Sequence, residues 1–241
     1  MIVNVGEKAL EVQEHQGKSL KYLTIHPDDY LADESYPLVI LLHGFGASMG
    51  DLAGLTPAID RTGYVYACPN APVAFQVGPG MMGYGWGAIG GDSDPGERKH
   101  VKEMLGVFIN EVIEQYHVSA GQIIIGGFSQ GAGMAYMCGL PRPDQFAGLV
   151  ALSSSKVDFD DLKEQIPADR TQSVFIAHGT EDPVSPVERA RAAKAFLEGE
   201  GYSLTYHEYP MAHEITADVV NDVVLWVHQV LAPFSGGNTT G

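Results

Sequence analysis

Gln122-Ile123-Ile124-Ile125-Gly126-Gly127-Phe128-Ser129-Gln130-Gly131-Ala132-Gly133-Met134-Ala135-Tyr136-Met137 decides how the rest of the chain is read. The β-branched run 123–125 predicts a buried strand, and the stretch from Ala132 predicts the start of a helix. Between them lies a Gly-x-Ser-x-Gly pattern centred on Ser129. A strand that becomes a helix so abruptly leaves room only for small residues two positions either side of the serine. Such a turn strains the serine backbone and holds its hydroxyl above the edge of the sheet. An ordinary glycine-rich turn can spell the same letters, so the pattern needs partners elsewhere.

Those partners are an acid and a histidine, in that order, later in the chain. Val174-Phe175-Ile176-Ala177 predicts another buried strand and runs into His178-Gly179-Thr180-Glu181-Asp182-Pro183-Val184. A carboxylate just past a strand's carboxyl end lies where α/β sheets bind ligands. Leu204-Thr205-Tyr206-His207-Glu208-Tyr209 alternates like a strand and ends at Pro210-Met211-Ala212-His213. Ser129, Asp182 and His213 therefore each follow a different strand and can converge. A serine hydroxyl needs a base to become a nucleophile. His213 is the candidate base, since an ordinary imidazole titrates near ~6.5. Asp182 would hold its tautomer and stabilise the imidazolium. Acyl transfer also needs amide donors for the oxyanion. Gln130 supplies one, as the residue after the nucleophile. The other is assigned to Phe45, in His43-Gly44-Phe45-Gly46 after the strand 37–42.

Together these residues resemble the phospholipase/carboxylesterase family, which contains the acyl-protein thioesterases. The matching pieces are Leu42-His43-Gly44-Phe45-Gly46, Gly127-Phe128-Ser129-Gln130-Gly131 with Gly133, His178-Gly179-Thr180-Glu181-Asp182-Pro183-Val184-Ser185-Pro186, and Ala212-His213. They occur in family order across residues 38–215. The resemblance implies an α/β-hydrolase fold, a Ser129–Asp182–His213 triad, no cofactor and no metal. It also implies action on carboxylic or thio esters, with short to medium acyl chains expected. An acyl-protein thioesterase or lysophospholipase is the alternative. A ligand-binding protein on a hydrolase fold is a more distant one, disfavoured by the complete triad. The family also allows a homodimer. Two stretches depart from the thioesterase pattern near the expected substrate position: the long glycine-rich segment 71–100, and Ser153-Ser154-Ser155 where the family often has a glycine.

Several residues admit a second role. Tyr84 and Trp86 either line the substrate pocket or pack the 71–99 loop. His43 is expected to pack the oxyanion loop and His178 to bond locally. Glu181, or one of Asp158, Asp160 and Asp161, could replace Asp182 as the acid. Gly78-Pro79-Gly80-Met81-Met82-Gly83 spells a dinucleotide pattern, but no strand is expected directly before it and no helix after it, so the phosphate-cradle mechanism lacks its setting. The sequon at Asn238 lies in a polar tail and carries no meaning here.

The 241 residues suit one domain, 1–234, with a flexible tail at 235–241. A net charge of −16 disfavours nucleic acid and anionic membrane surfaces, which require basic patches. Cys68 and Cys138 are the only cysteines; two buried thiols rather than a disulfide suit a reducing cytoplasm. The first residues lack the pattern of a signal peptide, and no apolar run reaches the ~18–20 residues needed to span a bilayer. Leading antiparallel strands are expected over 10–25, turning at 16–18. Further strands are expected near 37–42, 63–68, 122–126, 147–152, 173–177 and 203–208. Val101, Leu105, Phe108, Val112 and Tyr116 form one helical face, and Ile215, Val219, Val223, Val227 and Val230 another. Strand–helix alternation predicts a mostly parallel sheet with helices on both faces. The twenty or so residues between Leu152 and Ser173 leave room for one short helix and no large cap domain.

Overall fold

The computed structural model of the protein describes residues 10–87 and 94–235. Its strands are β1 (Glu11–Gln16), β2 (Lys21–His26), β3 (Leu38–Leu42), β4 (Val65–Pro69), β5 (Val73–Gly78), β6 (Met81–Gly85), β7 (Ile123–Phe128), β8 (Gly148–Leu152), β9 (Ser173–Gly179) and β10 (Ser203–Tyr209). Eight of them form one sheet in the order β1-β2-β4-β3-β7-β8-β9-β10. β2 is antiparallel to both β1 and β4, and every other neighbouring pair is parallel. The expected topology is therefore present, with β2 as the one reversed strand among the described residues.

Period-two alternation sorts the apolar side chains to the two faces of the sheet. Leu38, Ile40, Leu42, Ile123, Ile125, Leu149, Ala151, Val174 and Ile176 share one core. Val39, Ile124, Val150 and Phe175, the intervening residues, belong to the other. Strands buried on both faces explain the near-continuous apolar runs of the sequence. On the first face lie α3 (Pro95–Gln115), α4 (Gln130–Gly139) and α6 (Glu188–Gly199). On the second lie α2 (Thr56–Ile59) and α7 (Ala217–Val230), with α1 (Met49–Ala53) packed beside them. α3 begins cleanly because the Asp94 side chain accepts the Gly96 N–H and Pro95 occupies the first turn. Its buried residues include Val101, Leu105, Phe108 and Val112, the face read from spacing. In α7 the buried set is Val219, Val223, Trp226 and Val227. Ile215 precedes that helix rather than starting it.

Between β8 and β9 the chain forms only the short helix α5 (Phe159–Lys163). No large cap covers the carboxyl ends of the strands there. The glycine-rich segment 71–100 does differ from expectation. Its first part is not irregular loop but a hairpin, β5 paired antiparallel with β6. The glycine pattern at 78–83 follows a strand after all, but it turns the hairpin, with Gly80 at φ 72°, and opens no helix. Residues 88–93, the N-terminal residues 1–9 and the tail beyond Ser235 lie outside the described residues, as does the sequon at Asn238. No helix among the described residues is long and apolar enough to cross a membrane.

Candidate active site

Ser129 stands between β7 and α4 with φ 55° and ψ −115°. A non-glycine residue rarely holds a positive φ, and here the surroundings enforce it. A Cβ on Gly131 would collide with the Leu42 carbonyl, and one on Gly127 with the backbone of Gly131. The elbow thus needs both glycines for close approach between β3, β7 and α4. The Ser129 N–H donates to the Leu152 carbonyl at 2.9 Å, and the Ser129 carbonyl accepts from Gly133 and Ser155 N–H at 3.2 and 3.0 Å. Ser153 and Ser154 are buried, with Ser153 at φ 45°. The Ser153 N–H bonds to the Ala177 carbonyl at 2.9 Å, and the Ser154 carbonyl accepts the Ser185 hydroxyl at 2.6 Å.

His213 lies in the loop between β10 and α7. Its Nε2 is 2.9 Å from Ser129 Oγ and its Nδ1 is 2.7 Å from Asp182 Oδ2. An ionised carboxylate can only accept, so Nδ1 carries the proton and Nε2 is the acceptor facing the serine. The Phe128 ring packs against the imidazole at 4.7 Å between centroids. Asp182 Oδ1 accepts the N–H groups of Val184 and Ser185, both at 2.8 Å. Burial alone would raise the Asp182 carboxyl's pKa. The Ser185 N–H, the His213 side chain and the Val184 N–H outweigh burial and hold it below the ordinary carboxylate value. Asp182 is therefore ionised at neutral pH, oriented on both oxygens.

The other acids stand elsewhere. The Glu181 side chain is exposed, and its backbone N–H bonds to the Met211 carbonyl at 3.1 Å. Asp158 caps α5, and Asp160 and Asp161 are exposed on its first turn. His178 is buried and bonds through Nε2 to the Ser185 carbonyl at 2.7 Å, with Asp182 Oδ2 3.5 Å away. Cys68 and Cys138 are buried and free, in the cores on opposite faces of the sheet. Burial pushes both thiols up, Cys138 to about 11, so neither offers a thiolate at neutral pH.

The loop after β3 runs beside the serine: a Cβ on Gly44 would lie 3.5 Å from that of Ser129. His43 is buried, and burial lowers its pKa, so it is neutral. Its Nε2 accepts the Ala71 N–H at 3.0 Å, which leaves Nδ1–H to donate to the Gly44 carbonyl at 2.7 Å. Ala47 N–H bonds to the same carbonyl at 3.3 Å. A trans peptide points its N–H opposite to its carbonyl. Anchoring the Gly44 carbonyl on one side therefore directs the Phe45 N–H to the other. Neither the Phe45 nor the Gln130 N–H is taken by another described residue. The hairpin joins this loop through Gly46 N–H to Tyr84 carbonyl and Tyr84 N–H to Ala47 carbonyl, both 2.9 Å. Trp86 is only 2% exposed and packs against the loop, with its ring centroid 5.6 Å from that of His43; Tyr84 is half-buried. No group of three or more His, Cys, Asp or Glu among the described residues is arranged to hold a metal.

Sequence reasoning missed the hairpin and the Gln130 side chain, whose Oε1 accepts the Trp86 N–H at 2.7 Å. The hairpin did leave a signal: Val73, Phe75 and Val77 alternate ahead of Pro79-Gly80, a turn dipeptide. The Gln130 contact left none, since it joins residues 44 apart.

A mostly parallel eight-stranded sheet, helices on both faces and a strained serine between strand and helix define an α/β hydrolase. The chain matches the Phospholipase/Carboxylesterase family over residues 31–231 and belongs to it. It is 30% identical over 224 residues to acyl-protein thioesterase 1 of Gibberella zeae, covering 84% of this chain and 94% of that one. It is 28% identical to acyl-protein thioesterase 1 of Kluyveromyces lactis, covering 80% and 92%. In fold it is similar to the crystal structure of esterase PE8, with TM-score 0.76, 24% identity and coverage of 88% and 100%. The Bacillus cereus carboxylesterase gives TM-score 0.71 at 22% identity, covering 89% and 96%. The protein is thus a hydrolase of the esterase and thioesterase kind.

Proposed function

We propose that the protein is a serine carboxylesterase acting through an acyl-enzyme on Ser129. The observation that carries this is one imidazole spanning Ser129 Oγ and Asp182 at 2.9 and 2.7 Å. Ser129 Oγ attacks the ester carbonyl carbon while His213 Nε2 takes its proton. The carbonyl oxygen becomes an oxyanion that accepts the Phe45 and Gln130 N–H groups, each donor worth about 10²–10³ in turnover. Collapse breaks the bond to the alcohol, which leaves with the proton from His213. Water then attacks the acyl-serine by the same route, releasing the acid and restoring the serine. Every group required belongs to the chain, so no cofactor enters the cycle. Tyr84 is assigned a substrate contact, supported by its half-buried position and its bonds to the loop that carries Phe45.

The proposed substrates are small esters of short to medium acyl chain length. Thioester substrates are the second reading, favoured by the relatives named acyl-protein thioesterase 1. Residues 1–234 are read as one hydrolase domain working in the cytoplasm, and sedimentation tests whether it pairs as a homodimer. A series of p-nitrophenyl esters from acetyl to palmitoyl, run beside matched acyl thioesters, discriminates the two substrate readings by kcat/KM. Ser129→Ala should lower turnover about 10⁶-fold and abolish fluorophosphonate labelling. Retained turnover in that variant sinks the serine mechanism. Labelling of Ser129 with turnover only on thioesters moves the assignment to the second reading.

A further inference from the structure

Trp86 is bonded to both sides of the proposed oxyanion site. Its main-chain N–H donates to Gln130 Oε1 at 2.7 Å, and its indole Nε1–H donates to the His43 carbonyl at 2.9 Å. His43 begins the loop that carries the Phe45 amide, and Gln130 carries the other amide on its own backbone. We propose that Trp86 is a positioning residue that sets the spacing between these two amide donors, using the β5–β6 hairpin as its support. The proposal rests on the esterase reading above and assigns a role to a buried residue bonded to both loops.

Three features make the clasp rigid. The Trp86 ring is buried, with its centroid 5.6 Å from that of His43. The hairpin is fixed to the same loop by the reciprocal bonds of Tyr84 with Gly46 and Ala47. On that hairpin glycines allow the close approach: a Cβ on Gly83 would collide with the Gly46 carbonyl, and one on Gly85 would press the Phe45 ring at 2.9 Å. Phe45 in turn stacks on Phe75 of β5, with centroids 4.6 Å apart. The His43 carbonyl held by the indole and the Gly44 carbonyl held by the His43 ring belong to consecutive peptide planes. Fixing two planes in succession fixes where the next N–H, that of Phe45, points. The Gln130 side chain ties Trp86, and through its indole that loop, to the elbow from the other end. An oxyanion donor stabilises charge only at about 2.7–3.1 Å from where the charge develops, so a small change of spacing acts on the transition state and not on ground-state binding.

Two variants test the two arms. Trp86→Phe removes the indole donor and keeps an aromatic ring; Gln130→Met removes the side-chain acceptor and keeps the Gln130 amide. Each should lower kcat about tenfold to a hundredfold with KM changed less than about twofold. A boronic acid or trifluoromethyl ketone, which binds as a tetrahedral adduct, should lose affinity by the same factor as kcat/KM. The double variant should lose less than the product of the two single losses, because both cut one clasp. Unchanged kcat and unchanged adduct affinity in the folded variants, with only a lower Tm, would overturn the proposal and leave Trp86 a packing residue. If Trp86→Phe does not fold, Gln130→Met decides alone, since it leaves the core intact. Ser129→Ala assayed alongside separates the two failures. Loss of turnover there with no effect of the clasp variants rejects only the clasp; retained turnover there rejects the esterase reading itself.

Discussion

Asp182 shows how finely the site depends on single atoms. Its two oxygens do different work: Oδ1 is held by two backbone N–H groups and Oδ2 faces His213. Asp182→Asn keeps the volume but puts an amide where the imidazole N–H needs an acceptor, so His213 turns to the wrong tautomer. We expect kcat to fall about 10⁴-fold while the unfolding midpoint shifts little, measured by ester turnover beside thermal denaturation. A loss of less than tenfold in kcat would remove Asp182 from the machinery. At this scale the sequence was informative where chemistry demands a residue type in a fixed order. Ser129, Asp182 and His213 were legible because each follows a strand. The choice between Asp182 and its neighbour Glu181 was not a matter of order. It follows from the turn at 182–185, which directs one carboxylate inward and leaves the other in water.

Elements were legible wherever their periodicity met a two-sided sheet. Leu105 lies fully buried in α3 at the centre of the read face, against the sheet. Leu105→Ala should cost about 2–5 kcal/mol in denaturant unfolding, from lost transfer energy and the cavity left behind. Leu225 on α7 is 70% exposed, outside that helix's buried set. Leu225→Ala should stay within about 0.5 kcal/mol. Comparable losses for the two would contradict the assigned faces. The β5–β6 hairpin was harder to read because three of its eleven strand residues are glycine, a weak strand former on its own. It forms because it can bond to the loop after β3 and stack Phe75 on Phe45. Those contacts are tertiary, and no local pattern contains them.

Across the whole molecule, the buried titratable groups tie stability to pH. Burial lowers the pKa of His43 and of His26, which bonds through Nε2 to the Tyr116 hydroxyl at 2.8 Å. In the unfolded chain both protonate near ~6.5, while the folded protein resists. The unfolded state then binds more protons, so stability falls as pH drops below ~6.5 and continues to fall until the lowered folded values are reached. Asp182 and Glu208 act in a second window. The Arg191 guanidinium and then the Tyr206 hydroxyl hold Glu208 at about 2. The stability they contribute is present above ~4 and is lost as pH falls through their folded values. A thermal scan from pH 8 to 3 should therefore show Tm declining in two stages, and His26→Gln should shrink the first. A Tm unchanged between pH 7 and 5 would contradict this assignment.

The sequence by itself determined the layered α/β architecture, the chain order of the serine, aspartate and histidine that hydrogen-bond to one another, and the tight turn at Ser129. It could do so because those features are local: strand period, helix period, small residues at a tight turn, and a residue type at each strand's end. Only the tertiary structure decided which buried groups meet. It bonded the Gly44 carbonyl to the His43 ring, paired the hairpin with the loop after β3, and brought Trp86 between His43 and Gln130. The physical reason is that a hydrogen bond across 44 residues depends on how two sheets and a loop pack, and packing is a property of the assembled chain rather than of any segment within it.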